Sequence, residues 1–399
     1  MEGLIKGLID VALGNNGGDD EGPDNRDRRS PREDQQPRST WAQVVSSGDQ
    51  GNAQDGGPQD HRYQTNPWCQ KGESGGSNGD WETVPKRHPR RPQKVVKDHW
   101  DGYKRPPSEQ QFNEAAGHGI DIEPTHEELS DLSKACNRLW ELDLNRLVPE
   151  KDYQIDCGEG KKVYQKEDMA SGSLFSWLND DVFRRPTYAR FCSLLDNYNP
   201  NQGCKEVVTE QEKHEQAAFI EEISRTPPIK YLHKYLVSKG IIRESIEDFK
   251  RLMKSLWFDL YGRGGGSSCS SAFEHVFVGE IKGRGESEVC GFHNWVQFYL
   301  EEAKGTVDYQ GYIFPRRRGQ VPDSETQLLT IQFEWNGVPK SVSSTLVGVS
   351  PEFEIALYTL CFYLGREDNL VHLGPYPVNI KCYRLGNDKI GSVFPIAES

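Results

Sequence analysis

This 399-residue chain is short of several things, and each shortage removes a class of answer. Its nine cysteines (Cys69, Cys136, Cys157, Cys192, Cys204, Cys269, Cys290, Cys361 and Cys382) contain no C-x-x-C pair and none at zinc-finger distance from a histidine. That excludes a zinc ribbon or a dithiol redox motif and leaves buried free thiols in a reducing compartment. No apolar run approaches the roughly 18 residues of a membrane span. The opening Met1 to Leu13 lacks a basic region and carries Asp10 inside its apolar stretch, so it reads poorly as a signal peptide. The expectation is an intracellular protein, cytosolic or nuclear, without a transmembrane segment. Positive charge is also scarce: 48 Lys and Arg against 61 Asp and Glu give a net charge of −13. Wholesale coating of nucleic acid is excluded, and any RNA contact needs a local basic patch.

Hydrophobic residues make up only 35%, and the deficit is concentrated in the first 120 residues. Residues 1–120 therefore read as a disordered polar arm, opened by a short amphipathic stretch (Leu4, Ile5, Leu8, Ile9, Leu13). Within the arm, residues 86–105 hold eight Lys or Arg against two Asp, with His88, His99, Trp100 and Tyr103 among them. Basic residues interleaved with aromatics suit single-stranded RNA, although a plain basic linker or a nuclear-import signal has the same composition.

Residues 121–399 have ordinary globular composition and split in character near residue 260. Pro124-Thr125-His-Glu-Glu128 is a capping box opening a helix with Leu129, Leu132, Ala135, Leu139 and Trp140 on one face. Helical stretches follow at 174–182, 187–197, 209–224, 228–237 and 242–260. After Tyr261 the pattern turns to strands. Asn336-Gly337 marks a hairpin, and Ser350-Pro351-Glu352 opens a helix that stops at Gly365. The fold expected is α+β: a helical lobe over 121–260, then a mainly antiparallel half over 261–399.

Two histidines lie eighteen residues apart, His275 in Phe273-Glu-His-Val-Phe and His293 in Gly291-Phe-His-Asn-Trp; Lys340 follows in Lys340-Ser-Val-Ser-Ser344. Cutting RNA through its own 2′-OH needs a base, an acid and a cation for the extra phosphorane charge. Histidine serves both proton roles near neutrality, and lysine is a compact positive charge. Read as a strand, His275 shares a face with Phe273 and Phe277, which suits a core histidine as well as a catalytic one. The same parity sends Glu274 and Glu280 to the opposite face, as orienting, structural or metal-site residues that do not point where His275 points. It also puts Lys340, Val342 and Ser344 on one face. Gly262 to Ser268 lacks the P-loop pattern and reads as a flexible approach; Arg316-Arg-Arg318 reads equally as a phosphate contact or a solvated turn.

Three segments settle the choice by likeness: Ala272 to Lys282, Gly291 to Tyr299, and Lys340 to Glu354 closely resemble the EndoU (XendoU) family of poly(U)-specific endoribonucleases, over roughly Asp121 to the C-terminus. The resemblance implies catalytic roles for His275, His293 and Lys340, with His293 as base and His275 as acid, and a requirement for Glu274 and Glu280. It implies a uracil contact from Ser344 and packing of Tyr383 on the uridine, with Lys381 standing where the family often has threonine. It further implies cleavage of single-stranded RNA 3′ of uridine with a 2′,3′-cyclic phosphate product, stimulation by Mn²⁺ or in some members Ca²⁺, and a monomer. The rival readings are a non-catalytic RNA-binding regulator using the basic arm, and a secreted enzyme with a disulfide framework.

Overall fold

The computed structural model describes residues 119–264, 266–283, 287–314 and 322–397. The stretch at 1–13, the arm to residue 118 with its basic segment 86–105, and Arg316 to Arg318 lie outside the described residues.

The first half is built from capped helices. Thr125 accepts from the Glu128 N–H and the Glu128 carboxylate returns to the Thr125 N–H, closing the expected capping box on α1 (His126–Ser130). Asp131 then caps α2 (Leu132–Leu142), so the single expected helix is two. The strands β1 (Tyr153–Ile155), β2 (Gly160–Lys161) and β3 (Phe175–Leu178) follow, then a 3₁₀ turn (Asp180–Arg184). The helix expected over 174–182 is therefore absent. Phe175 and Leu178 stand at helical spacing, but a register shift in the β1–β3 pair lets both point inward from a strand. Helices α3 (Pro186–Cys192), α4 (Glu210–Ile223), α5 (Pro227–Ser238) and α6 (Ile246–Phe258) complete this half.

The second half begins with a hairpin, β4 (Tyr261–Arg263) and β5 (Gly266–Ser270), where a flexible approach was expected. After the helical turn that carries His275 come β6 (Glu280–Lys282), β7 (Glu288–Cys290), α7 (Trp295–Lys304), β8 (Val307–Ile313), β9 (Leu328–Trp335) and β10 (Val338–Leu346). Helix α8 (Pro351–Leu364) precedes β11 (Asp368–Leu373), β12 (Tyr376–Leu385) and β13 (Lys389–Ala397). The architecture is α+β. One sheet runs β10-β9-β8-β2, antiparallel except for the β2–β8 pair, and a second is the antiparallel meander β11-β12-β13.

Helix α8 is the central post. Ser350 caps it, Pro351 fills its first turn, and Pro351 to Phe362 are all buried. It packs against α2, α5 and β12, joining the helical half to the meander. A helix apolar all round belongs in a core, which explains why no amphipathic stripe marks it. Its N-terminal turn lies beside α7, because Asn294 donates to the Glu354 carboxylate (2.6 Å) and Trp295 Nε1 donates to the Val349 carbonyl (2.8 Å).

Candidate active site

His275 does not sit in a strand. Ser271 accepts from the Glu274 N–H through its hydroxyl (3.1 Å) and from the His275 N–H through its carbonyl (3.1 Å), starting a helical turn. The turn widens to π geometry over Glu274–Val278, with the Gly279 N–H donating to the Glu274 carbonyl (2.8 Å). Gly279 ends it at φ +95°, a conformation that glycine adopts at little cost. Phe273 and Phe277 are four apart and fill a cluster with Phe191, Trp257 and Phe258, a spacing as compatible with helix as with alternation. The parity argument for Glu280 is therefore corrected. The turn brings its carboxylate to 2.6 Å from His275 Nδ1.

His293 is delivered by strained backbone. Gly291 and Phe292 are both left-handed (φ +65° and +62°), and the Phe292 and His293 N–H groups donate to the carbonyls of His275 and Val276. A Cβ at position 291 would stand 1.7 Å from the His275 carbonyl oxygen, so only glycine fits there. Asn294 then caps α7, accepting from the Gln297 N–H (3.0 Å).

Lys340 arrives on β10, which carries a bulge. Lys340 pairs with Phe333, yet Ser343 pairs with Ile331, so three residues on β10 span two on β9. Lys340 and Ser343 thus share one side, and Ser344 turns to the other, its hydroxyl bonded to Thr330 (2.9 Å). The expected common face of Lys340, Val342 and Ser344 is lost to that extra residue. The Ser343 hydroxyl donates to the Phe292 carbonyl and lies 3.3 Å from His293 Nδ1. Tyr383 stands behind: its ring centroid is 6.2 Å from that of Phe394, and Phe394 stacks on His293 at 4.5 Å and 15°. Lys381 is committed to Asp368 (2.6 Å).

His275, His293 and Lys340 are close enough that each histidine feels the lysine's charge. Hydrogen bonding fixes the two tautomers. A carboxylate only accepts, so His275 Nδ1–H donates to Glu280 and its Nε2 is left for a substrate. The Ser344 carbonyl only accepts, so His293 Nδ1–H donates to it (3.2 Å) and leaves Nε2 with a free lone pair. Burial holds His293 well below the ordinary imidazole range, with Lys340 and His275 adding to that, which keeps it neutral. Burial, Arg263 and Lys340 likewise depress His275, to about 4, against the pull of Glu280. Burial opposes ionisation of Glu280, but the bond to His275 and the Arg263 guanidinium outweigh it and keep the carboxylate charged. Lys340 is lowered by burial, with Cys290 and Glu288 opposing.

Arg263, Ser343 and Phe394 escaped the sequence reading. Arg263 lies inside the glycine-rich segment whose sequence reads as a flexible approach. It is half-buried, 3.3 Å from the Glu280 carboxylate, and donates to the Tyr261 hydroxyl and the Gly391 carbonyl. Nothing in the sequence marks the bulge that selects Ser343, nor the partner of His293.

The implied Mn²⁺ or Ca²⁺ was tested against the donors here. Glu274 Oε2 and Glu280 Oε1 are buried without hydrogen-bond partners, as a cation site would require. Arg263, however, already supplies the positive charge beside Glu280. Burial, Glu280 and Glu206 push the Glu274 carboxyl up to about 9, a protonated acid at neutral pH. Among the described residues no three His, Cys, Asp or Glu side chains converge on a point that could hold a metal. The donors around the histidines do not fit a resident cation.

Comparison with known proteins agrees with this geometry. The family described as Endoribonuclease XendoU matches residues 131–395. The chain is 41% identical over 272 residues to uridylate-specific endoribonuclease B of Danio rerio, covering 67% of this chain and 95% of the relative. It is 43% identical over 277 residues to the poly(U)-specific endoribonuclease of Xenopus tropicalis, covering 67% and 93%. The solved structure of XendoU, described as a splicing independent snoRNA processing endoribonuclease, aligns with TM-score 0.60 and 41% identity over 69% of this chain and 99% of that one. Two buried histidines of fixed tautomer beside a buried lysine, in a chain matched along nearly the full length of such relatives, belong to one lineage: the chain is a member of the XendoU endoribonuclease family.

Proposed function

We propose that the chain is an endoribonuclease that cuts single-stranded RNA 3′ of uridines by internal attack of the 2′-OH, a phosphorus–oxygen lyase leaving a 2′,3′-cyclic phosphate. His293 Nε2 takes the 2′ proton, His275 Nε2 gives a proton to the departing 5′ oxygen, and Lys340 stabilises the added phosphorane charge. The observation that carries this assignment is the asymmetry of the Nδ1 partners. A carbonyl behind His293 leaves it a neutral base, whereas a carboxylate behind His275 favours the imidazolium that an acid needs. An incoming phosphodiester adds negative charge beside His275 and raises its pKa in the complex.

Uridine selection falls to the wall beside His293, with Tyr383 packing on the base and the Ser344 region supplying a polar contact. Mn²⁺ or Ca²⁺ acts away from the reacting phosphate in this reading. The eight described cysteines are free thiols, which favours an intracellular setting over the disulfide framework of an exported enzyme. No helix among the described residues is long and apolar enough to cross a membrane. The exposed large apolar residues, such as Trp177, Val207, Ile246 and Leu370, are spread over separate segments, which favours a monomer.

The test is to map cut positions and end groups on a mixed-sequence RNA, with and without Mn²⁺ or Ca²⁺. Cyclic phosphate at uridines is expected throughout, and 5′-phosphate ends would mean attack by water instead. His275→Ala, His293→Ala and Lys340→Ala should each lower cleavage by roughly 10²–10⁴-fold with folding preserved. Normal turnover by folded His293→Ala would remove the mechanism.

A further inference from the structure

The meander β11-β12-β13 turns one face toward His293, and that face carries more chemistry than its aromatic rings. Residues directly opposite across antiparallel strands share a face, so Asp368, Lys381 and Phe394 form one row over the three strands. Phe394 stacks on His293 (4.5 Å), which fixes the direction in which the row looks. Tyr383, two residues beyond Lys381, lies on the same face, its ring 6.2 Å from that of Phe394 and 5.9 Å from the Lys381 ammonium. Cys382 between them turns the other way, toward Cys361 of α8. From His293, then, Phe394, Tyr383 and the Lys381–Asp368 pair follow in order along one surface.

The charges of the pair at the far end cancel, and Glu367 stands 3.9 Å from the ammonium. A phosphate subsite needs surplus positive charge, so this end of the wall suits an uncharged group. Lys381 is buried, whereas the Asp368 side chain is 52% exposed. Asp368 Oδ1 receives both the Lys381 ammonium (2.6 Å) and the Asn379 amide (2.7 Å), which fixes the carboxylate. Among the described residues nothing bonds Asp368 Oδ2, and an ammonium has three donors, of which Asp368 takes one. The wall therefore ends in one donor and one acceptor side by side, held in place by cross-strand pairing.

Uracil presents the complementary edge: O4 accepts and the adjacent N3–H donates. Cytosine reverses both, with an amino donor at C4 and an acceptor at N3. Guanine has the uracil pattern on a larger ring system that carries it farther from the sugar. We propose that Lys381 donates to O4 and Asp368 Oδ2 accepts from N3–H of a uracil lying along Tyr383, so that this pair sets the choice of uridine over cytidine. The assignment rests on the uridine preference argued above and supplies residues for it. A charged donor and a charged acceptor left unpaired against the wrong base cost more than neutral ones, which makes the pair a stringent reader.

The test uses the full chain and short fluorescent oligonucleotides in which one base is flanked by abasic deoxyribose. The central nucleotide is 2′-deoxyuridine, 2′-deoxycytidine or 3-methyl-2′-deoxyuridine. None has a 2′-OH, so none is cut, and anisotropy reads base recognition alone. The natural chain should bind the deoxyuridine probe about tenfold or more tighter than either of the others. In Asp368→Asn the bonds to Oδ1 force the amide nitrogen into the Oδ2 position, where it donates instead of accepting. The preference for deoxyuridine over deoxycytidine should then fall about tenfold, and the 3-methyl penalty should shrink with it. Lys381→Met should lower the same preference by a similar factor, and Asp368→Asn serves alone if that variant does not fold. Equal affinity of the natural chain for the deoxyuridine and deoxycytidine probes overturns the proposal. So does an undiminished preference in either folded variant, or uniform weakening on all three probes, which would make the pair structural only. Because no probe is cleaved, a failed ribonuclease assignment shows in the mapping of RNA ends, and a failed base contact shows here.

Discussion

His275 and His293 are equally buried, each 6% exposed, yet they are held by opposite kinds of neighbour. The side-chain partner of His275 is ionic: Glu280 on Nδ1, with Arg263 behind Glu280 and Lys340 across the site. His293 also feels the Lys340 charge, but the groups it touches are neutral: a carbonyl, a serine hydroxyl and the flat face of Phe394. Two identical side chains thereby acquire different proton affinities, and the difference assigns their roles. A neutral pocket makes a base that stays unprotonated, whereas a carboxylate-backed pocket makes an acid whose proton is recoverable.

The sharpest way to break this contrast is to remove the charge behind His275. Glu280→Gln can still accept from Nδ1 but no longer favours the imidazolium, so the His275 pKa falls further below its ordinary value. The acid form is then scarcer at every pH above it, and the alkaline limb of the kcat/KM profile moves to lower pH. A loss of roughly 10²-fold at pH 7 is expected, the low end of what a positioned acid contributes. Steady-state rates on an oligouridine across pH 4 to 9 read both. An unmoved limb would mean that Glu280 only supports the turn.

A smaller effect is expected on the neutral side. Phe394→Leu removes the stacked face from His293 but leaves the Ser344 carbonyl in place. The stack is worth about 0.5–1.5 kcal/mol, or roughly 2- to 10-fold in kcat. KM should stay unchanged if Phe394 serves the histidine alone. A rise in KM for uridine substrates with kcat intact would instead make Phe394, with Tyr383, part of the base-binding wall.

How far this contrast was legible in the sequence depends on the range of the interaction that creates it. Local rules found the Thr125 capping box, the Ser350-Pro351 helix start and the Asn336-Gly337 turn, because each is decided within four residues. The alternating Asn369, Val371 and Leu373 of β11 was a signal available and not used. The period-two reading of Phe273, His275 and Phe277 failed because Phe273 and Phe277 satisfy helical spacing too, and Ser271 with Gly279 bracket a turn. The β10 bulge is set by what β9 offers, so the Lys340–Ser344 parity could not be read from β10 alone. Arg263 and Phe394 reach the histidines from 12 and 101 residues away, beyond any local pattern.

The ionic side makes one more prediction, in stability rather than rate. Glu274 neighbours His275 in the turn and stands close to Glu280 and Glu206, and burial with those two charges pushes its carboxyl up to about 9. Its folded-state pKa therefore lies above the unfolded value of about 4.3. A raised pKa means that the folded chain binds the proton more tightly. Glu274 thus contributes stability that is full below pH ~4 and fades as pH climbs toward 9. Glutamine mimics the protonated acid and does not titrate. The unfolding midpoints of Glu274→Gln and the natural chain should coincide near pH 4, with the variant gaining on the natural chain at each step upward. Between pH 5 and pH 8 the gain should be on the order of 4 kcal/mol in denaturant titrations. A constant offset at all pH values would show that Glu274 is ionised in the folded chain, leaving two negative charges beside Arg263 and making the ionic side of the site an acidic pocket.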